Sequence, residues 1–466
     1  MSETLWTAAE AAAAIGGEAR GDWSVTGANF DTRDLQPGDL FVAIKGASRD
    51  GHDFLAQAYQ AGAAAALVSY VPEGFEDAPL LIAPGDTLQA LEKLGAAGRA
   101  RAADLYAIGV TGSVGKTSTK DMLGTMLRPQ GKTHAAAKSF NNHLGVPLTL
   151  ARTPQDARFG VYEIGMNAPG EIAPLARMVR PRAAIITLIG PVHLEAFPNG
   201  IDGIADEKAA IFEGLEAGGT AILNRDDPQF ERLAARARDC GAGEILEFGW
   251  SGTHARLRTS VGGDETKVTA EFFGKELKFT IGAPGMHFAT NALGALLAVR
   301  AAGANVQAAA ASLADWGAVA GRGARERVRL PKGGEILLID ESYNANPVSL
   351  GAALQALSEA PGGRRVAFLT DMLELGAAGE ALHAEIAKEP LLRFVHKIHT
   401  AGPLMAALHE ALPRERRGTH ARDAETLAEL APGMVEAGDA VMVKGSLGSR
   451  ARLIAERLRA LRAKTG

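Results

Sequence analysis

The sequence predicts an α/β protein, most of it built on doubly wound parallel sheets. From about residue 100 to the end of the 466 residues, short apolar runs rich in Val, Ile and Leu alternate with longer helical stretches. The apolar runs are continuous, as is typical of parallel strands that helices cover on both faces. The length is about three times a common domain length of ~150 residues, so two to four domains are expected.

Three domains are predicted, with boundaries near residues 100 and 320. Residues 1–100 form a small α/β unit, in which LQPGDL (35–40) and GASRDGHDF (46–54) are turn signals. Residues 101–319 form the central domain and residues 320–466 the C-terminal domain. A segment rich in Gly and Arg, WGAVAGRGARERV (316–328), is the predicted joint and hinge between them.

The predicted strands of the last two domains are eight short apolar runs. In chain order they are LYAIGVTG (105–112), FGVYEIG (159–165), AAIITLIG (183–190), GTAILN (219–224), GEILLID (334–340), RRVAFLTD (364–371), FVHKIHTAG (394–402) and DAVMVKG (439–445). Between them, residues 251–285 alternate polar and apolar side chains, which predicts antiparallel hairpins.

The composition excludes several classes of protein. Lys and Arg total 49 against 54 for Asp and Glu, so the net charge of −5 gives no basic excess for binding nucleic acid. Cys240 is the single cysteine, which excludes an intrachain disulfide and suits a reducing compartment. No run of ~18 uncharged apolar residues and no basic, apolar leader is present, so we expect a cytoplasmic protein without a membrane span.

The strongest local signal is a phosphate-binding loop in IGVTGSVGKTSTKDML (108–123). An apolar strand enters a Gly-rich turn, and a helix begins at a Lys-Thr pair, so backbone N–H groups, the helix N-terminus and an ammonium all face one anion. Val110 stands where the strict pattern has Gly, so the loop is a variant. The predicted ligand is a nucleoside triphosphate, held by Gly112, Ser113, Val114, Gly115, Lys116, Thr117 and Ser118.

Polar residues follow the carboxyl ends of five predicted strands, where open α/β sheets bind ligands. Taken singly, each could be a helix cap or a surface group. Together, and downstream of a phosphate loop, they indicate a nucleotide site with Mg²⁺ chelated by the phosphates. These residues are Glu163, His193, Asp340, Asp371 and Lys444. Lys208 lies in IADEKAAIFEGL (204–215), a predicted helix with Ala and Ile neighbours. A lysine in such a helix is usually exposed and extends its ammonium to water, so we predict an exposed side chain.

The assembled motifs resemble the Mur ligase family, the ATP-dependent amide-forming enzymes of peptidoglycan precursor synthesis. Beside the variant loop GVTGSVGKTS, the resemblance is carried, in family order, by SFNNHLGVPLTL (139–150), EIGMNAPGEI (163–172), HLEAF (193–197), EKAAIF (207–212), GMHFATNALGAL (285–296), GRGARERV (321–328) and DESYNANP (340–347). It implies a central sheet like that of phosphate-loop ATPases and a Rossmann-like C-terminal domain.

The resemblance also implies roles for particular residues. Lys116, Glu163, His193 and Lys208 would be catalytic, and Lys208 would be carbamylated. Mg²⁺ would be held by Thr117, Glu163, His193 and Lys208. Besides the phosphate loop, ATP would contact Asn291, Arg322, Asp340 and Tyr343. The other substrates would be bound by Thr32, Arg33, Lys45, Asp50, His52, Asn141, Asn142, Asn344 and Asn346.

Within the family, three features resemble the members that join D-alanyl-D-alanine to UDP-N-acetylmuramoyl-tripeptide through an acyl phosphate. They are the Asn pair before GVPLTL, the YNANP segment, and TDMLELG (370–376) with His383 after it. Residues 31–54 resemble the family's uridine-nucleotide domain. A monomer acting on small molecules is expected. The alternatives are a sister ligase that adds another amino acid, a folylpolyglutamate synthase relative, and a nucleotide-binding regulatory protein without ligase activity.

Overall fold

The computed structural model of the chain describes residues 3–46 and 48–462, which form three sheets in chain order and one two-stranded pair. Each of the three sheets contains parallel strands joined by helices, so the predicted α/β class is confirmed. Among the described residues, no helix is long and apolar enough to cross a membrane.

The N-terminal part contains a five-stranded sheet in the order β2-β7-β6-β5-β4, in which β2 alone is antiparallel to its neighbour. The predicted turn at 35–40 is present, with Gly38 at φ +90°; Ala47 of the second turn signal lies outside the described residues. The elements are β1 (Trp6–Thr7), α1 (Ala8–Ile15), β2 (Glu18–Arg20), β3 (Ser24–Val25), β4 (Gly27–Asn29), β5 (Asp39–Val42), α2 (Leu55–Gln60), β6 (Ala65–Val68), β7 (Leu80–Ile82) and α3 (Thr87–Arg101).

The middle part contains a nine-stranded sheet in the order β16-β15-β14-β13-β12-β11-β8-β10-β9. Its strands are parallel as far as β14, and the last three pair antiparallel, which confirms the hairpins predicted for 251–285. The elements are β8 (Tyr106–Thr111), α4 (Lys116–Leu127), β9 (Thr133–Ala135), α5 (Gly145–Ala151), β10 (Phe159–Glu163), α6 (Ile172–Val179), β11 (Ala183–Ile186), α7 (Gly200–Ala209), β12 (Thr220–Asn224), α8 (Phe230–Asp239), β13 (Glu244–Gly249), β14 (Ala255–Val261), β15 (Thr266–Phe272), β16 (Lys275–Ile281), α9 (Met286–Ala301) and α10 (Val306–Ser312).

The C-terminal part contains a six-stranded sheet in the order β17-β18-β22-β19-β20-β21, parallel except for the edge strand β17. The predicted joint, residues 316–328, is too long at its C-terminal end. Ala324–Val328 belong to the edge strand β17 and pair with β18. The elements are β17 (Ala324–Arg329), β18 (Glu335–Glu341), α11 (Pro347–Ser358), β19 (Arg365–Thr370), α12 (Gly379–Glu385), β20 (Lys397–Ala401), α13 (Met405–Ala411), β21 (Arg417–Ala421), α14 (Ala424–Leu430), β22 (Ala440–Lys444) and α15 (Arg452–Arg459).

The central sheet is buried on both faces, which is why its strands are apolar without alternation. In β11, Ala183 and Ile185 belong to the core on one face, while Ala184 and Ile186 belong to the core on the other. Side chains of a strand point alternately to opposite faces, so each face takes every second residue. Because neighbouring strands from β9 to β13 are parallel, their carboxyl ends lie along one edge of the sheet.

The N-terminal part is fastened to the middle part by buried contacts of α3 and α5. The indole Nε1 of Trp6 donates to the Ala151 carbonyl at 2.8 Å, and Arg99 Nε donates to the Val179 carbonyl at 2.8 Å. A Cβ on Gly98 would lie 2.4 Å from the Leu150 carbonyl oxygen, so the two helix backbones approach closely there. Both parts therefore share a packed interface.

Candidate active site

A cavity of about 690 Å³ lies between the middle and C-terminal parts, where the carboxyl ends of both parallel sheets face one another. Its walls combine the phosphate loop, strand ends of both sheets and the start of α9. The predicted site residues that line it are Ser113, Val114, Gly115, Lys116, Ser118, Asn141, Asn142, Glu163, His193, Asn291, Arg322, Tyr343, Asn344, Asn346 and Lys444.

The phosphate loop is shaped by two glycines with left-handed backbones. Gly112 has φ +146°, and a Cβ there would lie 1.9 Å from Thr187 Oγ1. Gly115 has φ +87° and precedes α4, with the Asn291 amide 2.8 Å from where its Cβ would be. Val110 is a buried residue of β8, because the strand continues to Thr111 before the turn begins. The variant position thus needs no glycine.

Lys116 extends along the loop it belongs to. Its Nζ donates to the Gly112 carbonyl oxygen at 2.5 Å. Burial lowers the pKa of Lys116 to about 8, against the opposing effect of Glu163, and the Arg322 guanidinium adds to the lowering. The loop therefore presents a cation, backbone N–H groups and a helix N-terminus in one place, which suits a polyphosphate.

Glu163 ends β10 and accepts hydrogen bonds at both carboxylate oxygens. Thr117 Oγ1 donates at 2.9 Å, Ser139 Oγ at 2.7 Å and Asn141 Nδ2 at 2.8 Å. Among the described residues, no three His, Cys, Asp or Glu side chains converge on one point. The hydroxyl and carboxylate oxygens fit Mg²⁺, which commonly takes few protein ligands and completes its shell with phosphate oxygens and water.

Lys208 is buried, with 1% of its surface exposed, so the prediction of an exposed lysine is wrong. It lies on α7 with its aliphatic stem inside the core, where packing overrides the usual preference of lysine for water. Burial, and then the positive charge of Lys116, lower the pKa of Lys208 well below its usual value. The amine is therefore readily neutral, as reaction with CO₂ to a carbamate requires.

His193 follows β11 in a left-handed backbone conformation with φ +53°. Its Nδ1 lies 2.5 Å from Glu374 Oε2, a carboxylate of the C-terminal part. Burial lowers the pKa of His193, Glu374 opposes this, and the charges of Lys208 and Lys116 add to the lowering. Lys116 and His193 line the cavity, whereas Lys208 is buried behind its wall and does not line it.

The C-terminal wall carries charged and aromatic side chains. The Arg322 guanidinium lies over the Tyr343 ring, 4.0 Å from its centroid. Lys444 Nζ donates to the Asn344 carbonyl at 3.0 Å and lies 3.6 Å from Glu341 Oε2. Burial lowers the pKa of Lys444 and raises that of Glu341, each against the effect of the other. Arg322 and Lys444 therefore give this wall two basic side chains that can bind anions.

Three predicted residues are engaged inside the C-terminal part. Asp340 does not line the cavity: it accepts from Arg459 at 2.5 Å and from Ser342 Oγ at 2.6 Å. Burial would raise the pKa of Asp340, but these hydrogen bonds outweigh it and lower the pKa. Asp371 accepts from the Met405 backbone N–H at 2.8 Å. The Asn346 side chain caps α11 by accepting from the Ser349 backbone N–H.

The predicted N-terminal residues lie outside this cavity. His52 is buried: its Nδ1 lies 2.6 Å from Asp50 Oδ1, and its Nε2 accepts from the Ser69 backbone N–H at 3.0 Å. Arg33 is exposed and pairs with Asp31. The backbones of Lys45 and Asp50 pair in an isolated antiparallel β-bridge, and Thr32 lies in the same turn as Arg33.

This N-terminal segment nevertheless adjoins a cavity wall. Lys138 forms an ion pair with Asp34, and the Phe30 and Phe140 rings meet edge to face at 6.0 Å. Phe140 immediately precedes the Asn141-Asn142 pair that lines the cavity. A ligand could therefore extend from the N-terminal part into the cavity.

Several residues that line the cavity were not predicted from the sequence. Trp250 is 42% exposed, and its backbone N–H donates to the Asp226 carboxylate at 2.6 Å. Both residues follow strand ends, which is the signal that could have found them. Leu373 and Leu447 supply an exposed apolar patch on the C-terminal wall. Nothing in the local sequence distinguishes these two leucines from core residues.

The comparisons with known proteins cover all three parts of the chain. Residues 24–96 match the family described as "Mur ligase family, catalytic domain", residues 110–299 the "Mur ligase middle domain", and residues 326–447 the "Mur ligase, glutamate ligase domain".

The similar proteins include the UDP-N-acetylmuramoyl-tripeptide–D-alanyl-D-alanine ligases of Bacillus subtilis and Escherichia coli. The first is 33% identical over 91% of this chain and 91% of its own; the second is 35% identical over 85% and 86%. A crystal structure of MurF from Acinetobacter baumannii has a TM-score of 0.82 and 27% identity, covering 97% of this chain and 98% of that one.

Proposed function

The chain belongs to the Mur ligase family, and from that premise we propose that it is an ATP-dependent ligase that joins D-alanyl-D-alanine to UDP-N-acetylmuramoyl-tripeptide. The single observation that carries the proposal is the cavity. One space of about 690 Å³ is lined by a phosphate loop on one side and by Arg322, Asn344 and Lys444 on the other. A phosphorylated acid and an incoming amine could meet there.

ATP would bind with its phosphates on the loop of residues 112–118 and its base toward Asn291. Lys116 is held by its own loop, so little reorganisation is needed before it neutralises charge on a phosphoryl oxygen. Arg322 would approach the phosphates from the C-terminal wall, because it lines the same cavity as Lys116 and its charge lowers the pKa of Lys116. Asp340, paired with Arg459, would act by fixing the start of the segment that carries Tyr343.

Glu163 and Thr117 would hold one Mg²⁺, and His193 with a carbamylated Lys208 a second. The metal ions supply charge neutralisation on the transferred phosphoryl group. The protein's own part is to align the ligands: Ser139 and Asn141 fix the Glu163 carboxylate from behind. The neutral amine that burial favours at Lys208 is what a carbamate needs in order to form.

The chemistry then proceeds in two steps. The terminal carboxylate of the tripeptide attacks the γ-phosphorus, the bond to the bridging oxygen breaks, and an acyl phosphate and ADP form. The amine of D-alanyl-D-alanine attacks the acyl carbon, phosphate leaves, and the amine loses a proton. Water competes with that amine, so the reaction needs a closed cavity. The segment between α10 and β17 is the hinge we propose.

Each domain would then have its own ligand. Residues 1–100 would bind the uridine nucleotide, with Thr32, Arg33 and Lys45 as contacts and with Asp50 and His52 shaping the fold beneath them. Residues 101–319 would bind ATP, and residues 320–466 the dipeptide, near Asn344 and Asn346. We propose a monomer that works in the cytoplasm on small molecules, without nucleic acid.

The test is phosphate release by the purified protein with ATP, Mg²⁺ and UDP-N-acetylmuramoyl-tripeptide, comparing amine acceptors. We expect D-alanyl-D-alanine to give the highest rate, and D-glutamate, L-lysine and diaminopimelate little. The variant Lys116→Ala is the negative control, expected to lose about 100-fold or more, as for loss of one charge-stabilising donor. A higher rate with another acceptor would favour a sister ligase, and ATP hydrolysis independent of every acceptor would contradict ligase activity.

A further inference from the structure

One contact crosses the cavity and joins its two walls through side chains. His193, on the middle part, and Glu374, on the C-terminal part, meet with 2.5 Å between Nδ1 and Oε2. Both residues have left-handed backbones, with φ +53° and φ +64°, although neither is glycine. Non-glycine residues take this conformation rarely, and they keep it where surrounding structure demands it.

Glu374 is presented by an anchored loop. The Met372 backbone N–H donates to His383 Nε2 at 2.9 Å, and the Leu373 backbone N–H donates to Ser446 Oγ at 2.9 Å. His383 is fully buried, so the loop before Glu374 is fixed to the core of the C-terminal part. The carboxylate consequently moves with that part as a unit.

The backbones also approach closely beside the ion pair. Gly376 has φ +58°, and a Cβ there would lie 3.2 Å from Glu195 Cβ. Leu194 packs against the apolar core of the C-terminal part. The two residues after His193 thus share one contact zone with Gly376, and a larger side chain at 376 would push the two walls apart.

The ion pair between His193 and Glu374 is expected to contribute little to the folding stability of the protein. The Glu374 side chain is 51% exposed, and exposed ion pairs contribute little to folding. A carboxylate on one imidazole nitrogen instead fixes the tautomer and the ring orientation, and it strengthens the other nitrogen as a ligand. With Nδ1 donating to Glu374, Nε2 is the nitrogen left to bind a metal.

We infer that Glu374 is a positioning residue that orients His193 for metal binding only when the middle and C-terminal parts are closed on each other. The inference rests on the proposed function, in which His193 is a metal ligand. Its consequence is that the second metal site is completed by closure, so metal binding and closure favour each other. Phosphoryl transfer would thereby be confined to the state that excludes water.

The test compares Mn²⁺ binding to the whole protein, measured by electron paramagnetic resonance with ADP and bicarbonate present. Glu374→Gln removes the negative charge at unchanged size, and Glu380→Gln, at an exposed site on α12, is the matched control. Gly376→Val keeps both side chains of the ion pair, but it crowds Glu195 on the opposite wall and strains the backbone at φ +58°. We expect Glu374→Gln and Gly376→Val to weaken one Mn²⁺ site 10- to 100-fold, and the control to leave it unchanged.

X-ray scattering on the same samples reports closure, with a larger radius of gyration expected for Gly376→Val. Unchanged Mn²⁺ affinity in Glu374→Gln would overturn the inference, as would equal weakening in Glu380→Gln. If the wild-type protein makes the peptide product while Glu374→Gln binds Mn²⁺ normally, this inference alone fails. If the wild-type protein makes no product, the proposed function fails, and the Mn²⁺ comparison still decides the role of Glu374.

Discussion

Lys208 is the residue whose surroundings changed its interpretation most. Composition and helix position predicted an exposed side chain, whereas the structure buries it beside the charge of Lys116. A helix of Ala and Ile neighbours cannot reveal that another layer covers it, because burial is decided by elements distant in sequence. The family resemblance singled out this lysine, and burial supplies the physical reason why its amine can be neutral.

Replacing Lys208 tests whether it carries an anionic group. Lys208→Ala should lose about 100-fold or more in phosphate release, because a ligand that orients charge-neutralising metal is missing. Added short carboxylates such as acetate should restore part of the rate, since they supply the same oxygens. Lys116→Ala is the matched control, because acetate cannot replace a cation. Full activity of Lys208→Ala, or equal rescue of Lys116→Ala, would contradict the carbamate role.

Three histidines with lowered pKa values, His399 buried and His134 and His287 partly buried, predict loss of stability in acid. Burial lowers the pKa of His134, His287 and His399 to about 4. Unfolded histidine titrates near 6.5, so between pH 6.5 and pH 4 the unfolded state binds more protons and stability falls as pH falls. From pH 7 to pH 5 each should cost about 2 kcal/mol of unfolding free energy.

Urea unfolding at the two pH values checks this expectation. His134→Gln keeps a donor for the Thr149 carbonyl that His134 Nε2 contacts at 2.8 Å, and it should lose less stability in acid than the wild type. The exposed His143→Gln controls for the substitution itself. A wild-type free energy that is flat between pH 7 and pH 5 would show that these side chains are not buried in their neutral form.

At the scale of single elements, the apolar runs predicted the eight strands well, because burial on both faces leaves a signal within each run. The ends of elements were harder. The prediction placed the joint over 316–328, but Ala324–Val328 join β17, whose charged residues suit an exposed edge strand.

Replacement by alanine is expected to change the free energy of unfolding in opposite directions at two glycines that lie inside helices. Gly98 on α3 faces the α5 backbone at 2.4 Å from its missing Cβ, whereas Gly351 on α11 has no atom within 4 Å of that position. Alanine favours a helix by about 1 kcal/mol over glycine, so Gly351→Ala should stabilise by roughly 0.5–1 kcal/mol. Gly98→Ala should destabilise by about 1–3 kcal/mol, because a backbone must shift.

The free energy of unfolding in urea at pH 7 measures both changes. Gly351→Ala serves as the control for helix propensity, as both sites lie inside helices. A stabilising Gly98→Ala would mean that α3 and α5 are not in close contact, and the attachment of the N-terminal part would need revision.

Across the whole chain, local patterns predicted many of the residues that line the cavity, but not the contacts that those residues make. Glu163, Lys116 and His193 were found because strand ends and Gly-rich turns have local signatures. The approach of Glu374 to His193 and of Phe140 to Phe30 joins separate parts of the chain, and no local pattern encodes such contacts. The roles of these residues stay predictions, and the fold decides which of the residues meet.

Activation of the tripeptide carboxylate as an acyl phosphate in the cavity between the two domains would transfer an oxygen atom to the phosphate. To follow that atom, both oxygens of the terminal carboxylate are labelled with ¹⁸O, and the substrate is turned over with ATP and D-alanyl-D-alanine. Because one carboxylate oxygen bonds to phosphorus and then leaves with it, we expect one ¹⁸O atom in each phosphate released. Phosphate free of ¹⁸O, formed together with the peptide product, would show that the carboxylate is not activated as an acyl phosphate.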